Sequence, residues 1–366
     1  PVSDTQIVLQ EANVRGRRVE LAAAGGLASG IGSVDDDVVI QLPEDPGQEL
    51  ELTERQKAAL VGAALPGDIT LVYDGDRLAE IRVRQLRSVF VDVADALKID
   101  SSGHVYVVGE NHLPVETVTA GGDVMLAADD SIIDVSGGGP AVTAGGSLAL
   151  EAGRGSIGSA DTPLTFRLDG ASGYVSLARA RETMSLQAVG GDFRFGGLYA
   201  GGAAFLSAPD GSIIGNVEQA AGPRIDAVSL HVTAAGDFRS AFDEELQIRV
   251  NTLGRLTGRI DGAVRLASPQ DELVVGALSA GGPLTLTGLR LTFTAEVRVA
   301  GEAQRIAAEE LLHLRDGAVI DAAGMYLSGR RVLMDAGDEE AGTAMARLSA
   351  GAGGMTVESD TDMLLG

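Results

Sequence analysis

Three runs of carboxylates have the residue types and spacing for chemistry: Asp35-Asp36-Asp37, Asp129-Asp130 and Asp243-Glu244-Glu245. Two carboxylates at a working separation can act as an acid–base pair on a glycosidic bond. The same oxygens, brought together from adjacent loops, can hold calcium. Each run falls where a turn is predicted, and an acid in a turn is simply solvated. Asp35, Asp36, Asp37, Asp129 and Asp130 are the candidate calcium ligands, and no other cofactor is expected. The four histidines, His104, His112, His231 and His313, lack the spacing of a metal site and read as polar-face or loop residues. The string Gly137-Gly138-Gly139-Pro140 lacks the Lys-Ser/Thr ending of a phosphate loop. No Gly-x-Ser-x-Gly elbow stands between a strand and a helix. Sugar sites favour aromatic platforms, yet the chain has 8 Phe, 5 Tyr and no Trp. No catalytic residue is assigned, and the expectation is a protein that is not an enzyme.

The elements that would have to position these residues are announced by glycine. A Gly-Gly turn followed by alternating apolar residues recurs at Gly121-Gly122, Gly145-Gly146, Gly190-Gly191, Gly236, Gly281-Gly282 and Gly353-Gly354. The steps from Gly121 to Gly145, Gly191 to Gly236, Gly236 to Gly281 and Gly281 to Gly353 are 24, 45, 45 and 72 residues. They correspond to one, two, two and three turns of a coil of about 22–24 residues, a period that signals a solenoid. A second element, Ile-Gly bounded by small residues, appears at Gly30-Ile31-Gly32, Gly155-Ser156-Ile157-Gly158 and Gly211-Ser212-Ile213-Ile214-Gly215. Each coil is expected to hold two or three short strands, in the order Gly-Gly strand, Ile-Gly strand and a further strand. Alternation at Val124/Leu126, Leu148/Leu150, Val175/Leu177, Val264/Leu266 and Leu284/Leu286 gives each strand one apolar face. A single such coil buries nothing, so coils must stack with parallel pairing. The glycines belong at corners, where φ > 0 or close backbone approach is required. Asp123, Asp192 and Asp237 beside them read as turn residues bonding their own backbone.

Composition agrees. The chain of 366 residues has 50 Gly but is 45 % hydrophobic, too apolar for disorder. Its formal charge of −24 excludes a nucleic-acid footprint and disfavours polyanions. With 0 Cys there is no disulfide framework and no thiolate metal site. No apolar run is long enough to span a membrane, and direct membrane insertion is not expected. The repeat begins and ends abruptly, and the whole of 1–366 reads as a single β-helix segment, a fragment of a much larger protein.

Residues 43–65 break the pattern. Pro43-Glu44-Asp45-Pro46-Gly47 reads as a loop, and Thr53-Glu54-Arg55-Gln56 matches a capping box opening one short helix. A second, weaker helix is expected from Ala303 to Leu312, and a surface loop from Ala336 to Gly342. Arg17, Arg18, Arg82, Arg84, Arg87, Arg179, Arg181, Arg330 and Arg331 fall at outward positions, where Arg opposite Asp and Glu on neighbouring rungs would relieve repulsion. Arg82 to Arg87 alternates as a strand.

The order of an Ile-Gly-Ser turn, a Pro-Leu loop, a strand and Ala-Gly-Gly-Asp resembles the repeat region of filamentous haemagglutinin-like adhesins and exoproteins. Leu52-Thr53-Glu54-Arg55-Gln56-Lys57-Ala58-Ala59-Leu60 and Gly103-His104-Val105-Tyr106-Val107-Val108-Gly109 strengthen the likeness. The resemblance runs from about Val14 onward. It implies an all-β, right-handed parallel β-helix, export across a Gram-negative envelope, and a stalk or adhesive role outside the cell or on its surface. The partners implied are neighbouring segments of the same protein, copies of itself end to end, and a host, cell-surface or matrix receptor. No secretion domain and no glycine-aspartate calcium nonapeptide accompany it. The alternative is a carbohydrate-binding or polysaccharide-degrading β-helix; a third possibility is a protein-binding adhesin that makes contact through its excursion loops.

Overall fold

The computed structural model describes residues 13–24, 30–42, 69–74, 77–215, 223–301, 304–335, 346–351 and 354–365, with short pieces at 2–3, 6–7, 53 and 56. Among these residues, thirty strands join one all-parallel sheet and three form a separate antiparallel sheet. The fold is all-β, a parallel β-helix. Two compact units divide the chain: Pro1–Gly153 with Leu168–Ala178, and Arg154–Arg167 with Arg179–Gly366.

In the first unit one coil runs through Val124–Ala128, Ile132–Asp134 and Val142–Ala144, and the next begins at Leu148–Ala152. Alternation turns every second side chain inward, and parallel pairing stacks equivalent positions. Val105, Val124 and Leu148 form one inward column, Leu113 and Ile132 a second, and Ile99, Val118 and Val142 a third. All eight are buried. Each such side chain contributes about 1.5–3 kcal/mol once removed from water, and only a neighbouring rung removes it.

The second unit repeats the scheme. Met184, Ala204, Leu230 and Leu256 stack in one column. Phe193, Ile213, Phe238, Val264 and Leu284 stack in another. The step from Met184 to Ala204 is 20 residues and that from Ala204 to Leu230 is 26, a wider spread than 22–24. Pairing fixes the strands, while the connections between them vary freely in length.

The Ile-Gly element takes a different place from the one expected. Ile213 lies between Phe193 and Phe238, which both follow a Gly corner, and Ile31 pairs with Val105. Only the copy at Ile157 keeps the expected place: it follows the Gly-Gly strand Leu148–Ala152 and makes an isolated parallel bridge to Met184. The two elements are variants of one corner, because either supplies small residues at the bend and an apolar residue at the first inward position.

The corners explain the glycines. Gly145 stacks directly on Gly121, with its amide donating to the Ala120 carbonyl at 2.9 Å. Gly190 and Gly191 have φ of 75° and 150°, which side chains rarely adopt.

Two expectations are corrected. Residues 304–314, expected as a helix over Ala303 to Leu312, form the strand Gln304–Leu314, paired on both sides with Leu284–Phe293 and Met325–Met334. Ile306, Ala308, Leu312 and Leu314 point inward, and a register shift between Ala308 and Leu311 takes up Glu309 and Glu310. Two flanking strands outweigh the helix propensity of the Ala, Glu and Leu there. Asp35, Asp36 and Asp37 lie not in a turn but in the strand Ser33–Gln41, with a register shift between Asp35 and Val38. That shift sets Asp35 opposite Gln85 and Val38 opposite Val83, so the strand accommodates an extra residue as a bulge.

Ser33–Gln41, Ile69–Asp74 and Arg77–Arg87 form the antiparallel sheet, with Arg77–Arg87 in the middle and Val38, Ile40, Val83 and Ile81 packed together. Sequence reasoning found the Arg82 to Arg87 strand but not its two partners. Of the expected loop and helix over 43–65, only Thr53 and Gln56 are described. They show the reciprocal capping bonds: Thr53 N donates to Gln56 Oε1 at 2.9 Å and Gln56 N to Thr53 Oγ1 at 3.3 Å. The loop expected over 336–342 lies outside the described residues.

Candidate functional site

The outward positions of the second unit build one concave surface. Arg259, Ser279, Arg298, Asp321 and Ser349 stand in register on five successive rungs. Their strand neighbours Ile260, Ala280, Val299 and Ala322 are buried, which turns this row to solvent. The adjoining corner carries Asp261, Gly281, Ala300, Ala323 and Gly351, mostly too small to fill the space beside the row. The result is an open trough of about 570 Å³.

Ion pairs line it. Arg259 Nε lies 3.2 Å from Asp261 Oδ1, and Arg298 Nε lies 2.7 Å from Glu296 Oε1. The hydrogen bond and charge of Glu296 raise the Arg298 pKa against the opposing effect of desolvation, and the charge of Asp321 adds a smaller rise. Both pairs are well exposed, so they contribute little to stability. What they offer is donors and acceptors held side by side.

None of the other residues singled out for chemistry is in the lining of the trough. Asp129 and Asp130 occupy the turn expected of them, and Asp130 Oδ2 lies 3.5 Å from His112 Nε2. Asp243 and Glu244 lie in a bend, with the Asp243 carbonyl accepting from Arg265. Among the described residues no three His, Asp or Glu side chains gather as a metal cluster. His104 stacks on Tyr106 at 4.6 Å, and His313 Nε2 meets Asp335 Oδ1 at 2.9 Å. His231 stacks on Phe205 at 4.6 Å, and its Nδ1 bonds Thr257 Oγ1 at 2.6 Å. Burial lowers the His231 pKa, which favours the neutral ring.

No family model, curated protein or solved structure matches this chain.

The corner aspartates do work that the sequence did not disclose. Asp123 Oδ1 accepts from Ser147 N at 2.8 Å, Asp192 Oδ1 from Ser212 N at 2.9 Å and Asp237 Oδ1 from Ala263 N at 2.8 Å. Each donor belongs to the next rung, so these side chains pin consecutive corners in register. The turn-local bond expected for them is thereby corrected: stacked corners offer an amide from above. Asp237→Ala is expected to cost about 2 kcal/mol, the value of a hydrogen bond to a charged group. Asp237→Asn keeps the Oδ1 acceptor and should recover most of that loss. Urea midpoints of the two variants check this, and equal midpoints would remove the pinning role.

Charges across rungs follow the expected relief only in part. Arg15 pairs with Asp92 and Glu110, Arg17 with Asp95, Arg18 with Glu116, Arg249 with Asp226 and Arg290 with Glu310, each partner lying on another strand or, for Glu110, in the bend that follows one. Arg82, Arg194, Arg239 and Arg298 instead meet a carboxylate two residues away on their own segment. Alternation places those i and i+2 side chains on one face, so the sequence itself carried that signal.

Proposed function

We propose that this chain is a structural stalk or adhesive segment of a large secreted or cell-surface fibrous protein of a Gram-negative bacterium, and that it is non-enzymatic. One observation carries the reading: the residues with special chemistry are occupied in stacking. The corner glycines let backbones approach, the corner aspartates bond the next rung, and many arginines meet carboxylates across strands. Length is the product of such a design, because each rung adds about 4.8 Å. Neighbouring segments or further copies would continue the stack, and a host, cell-surface or matrix receptor would meet its sides.

The test is localisation in the parent organism. Antibody raised against the chain is expected to label intact cells or shed fibres; labelling only after lysis would overturn the proposal. A second reading, a carbohydrate-binding β-helix, is favoured by the polar trough between Arg259 and Ser349.

A further inference from the structure

We infer that the trough binds a neutral, linear, hydroxyl-rich glycan lying along the stacking direction. The inference rests on the second reading and names its ligand class. Three features lead to it.

The first is repeat. Arg259, Ser279, Arg298, Asp321 and Ser349 recur once per rung, a step of about 4.8 Å, close to the length of one sugar ring in an extended chain. The second is the kind of polar group. A sugar hydroxyl donates and accepts at once, and a vicinal pair needs a donor beside an acceptor. Arg259 with Asp261 and Arg298 with Glu296 present that combination, and Ser279 and Ser349 add hydroxyls between and beyond them.

The third is charge. The lining balances two arginines, Arg259 and Arg298, with two carboxylates, Asp261 and Asp321, on a chain of net charge −24. A balanced lining offers polyuronates, sulfated chains and nucleic acids no net positive charge, and the net charge of the chain disfavours their approach. With no aromatic side chain in its lining, the trough gains affinity from successive rungs rather than from one stacking platform.

The experiment titrates the full chain with neutral β-1,4-linked gluco-oligosaccharides of two to six units, read by saturation-transfer NMR, with a polyuronate series alongside. Affinity is expected to rise up to about four or five units and then level off, as the five rungs are filled. Arg298→Ala and Asp321→Ala should each weaken the longest neutral oligomer about fivefold, the worth of roughly one hydrogen-bonded group. Both positions are exposed, and unchanged urea midpoints would show that the fold is intact. Binding with no dependence on length, or unmoved by both substitutions, would overturn the trough as the site. Binding of polyuronate alone would overturn the neutral ligand while leaving the carbohydrate reading standing. Binding of neither polymer would overturn both.

Discussion

Gly145→Ala is expected to destabilise the first unit by about 3 kcal/mol or more, in the range reserved for substitutions that violate packed backbone. An added Cβ would overlap the Gly121 carbonyl oxygen and sit 2.8 Å from its carbon and 3.3 Å from its Cα. All three atoms are backbone, so no rotamer change relieves the clash. Nor can the rung simply lift. Gly145 N donates to Ala120 O at 2.9 Å, while Val142 is held by Val118 before the corner and Leu148 by Val124 after it. Relief must loosen pairing on both sides of the corner. The matched control is Gly139→Ala. Its added Cβ meets nothing within 4 Å, so the change should stay within about 0.5 kcal/mol. Urea denaturation of the two variants decides the point; indistinguishable midpoints would mean that the corner glycines are not held by close approach.

This corner logic is why the coil was legible. The step from Gly191 to Gly236 passes through Gly211, and that from Gly236 to Gly281 through Gly262, so each 45-residue interval is two rungs. The 72-residue interval runs from Gly281 through Ala300-Gly301 and Ala323 toward Gly351, three rungs, with Gly353 itself outside the described residues. Glycine returns where a Cβ would strike the rung beneath, often enough to survive as a periodic signal, although Ala300 and Ala323 stand at the corner equivalent to Gly281. The Gln304–Leu314 strand was misread for the opposite reason. Its Ala, Glu and Leu state a local preference, and the neighbours that override it lie about twenty residues away on either side. The antiparallel sheet escaped because Asp35, Asp36 and Asp37 carry turn chemistry into a strand that tolerates them at a bulge.

The trough was less legible still. Arg259, Ser279, Arg298, Asp321 and Ser349 sit 20, 19, 23 and 28 residues apart, an irregular series that no motif describes. Only strand register aligns them. The corner aspartates were noticed, but their partners, Ser147, Ser212 and Ala263, are likewise 20–26 residues on. In a solenoid the residues that make a site are rung neighbours, and local spacing does not encode them.

Phe193→Ala is the second large expected effect, and it tests cohesion inside the second unit. Phe193 is fully buried in the column that continues through Ile213 and Phe238. Its ring lies 5.0 Å from Phe166 at 77° and 5.9 Å from Phe195 at 72°, both edge-to-face. Truncation removes the transfer energy of the ring and leaves a cavity between neighbours that pairing holds apart, at a cost of about 3–5 kcal/mol. The two lost aromatic contacts add about 0.5–1.5 kcal/mol each beyond area alone. Because each rung touches only its neighbours, the loss should be local before it is global. Amide exchange is expected to quicken first around Phe166, Phe195 and Ile213, and last around Leu286 and Ile306, several rungs away in the same unit. Uniform acceleration across the unit would mean that it unfolds as one cooperative body, and the nearest-neighbour account of its stability would fail.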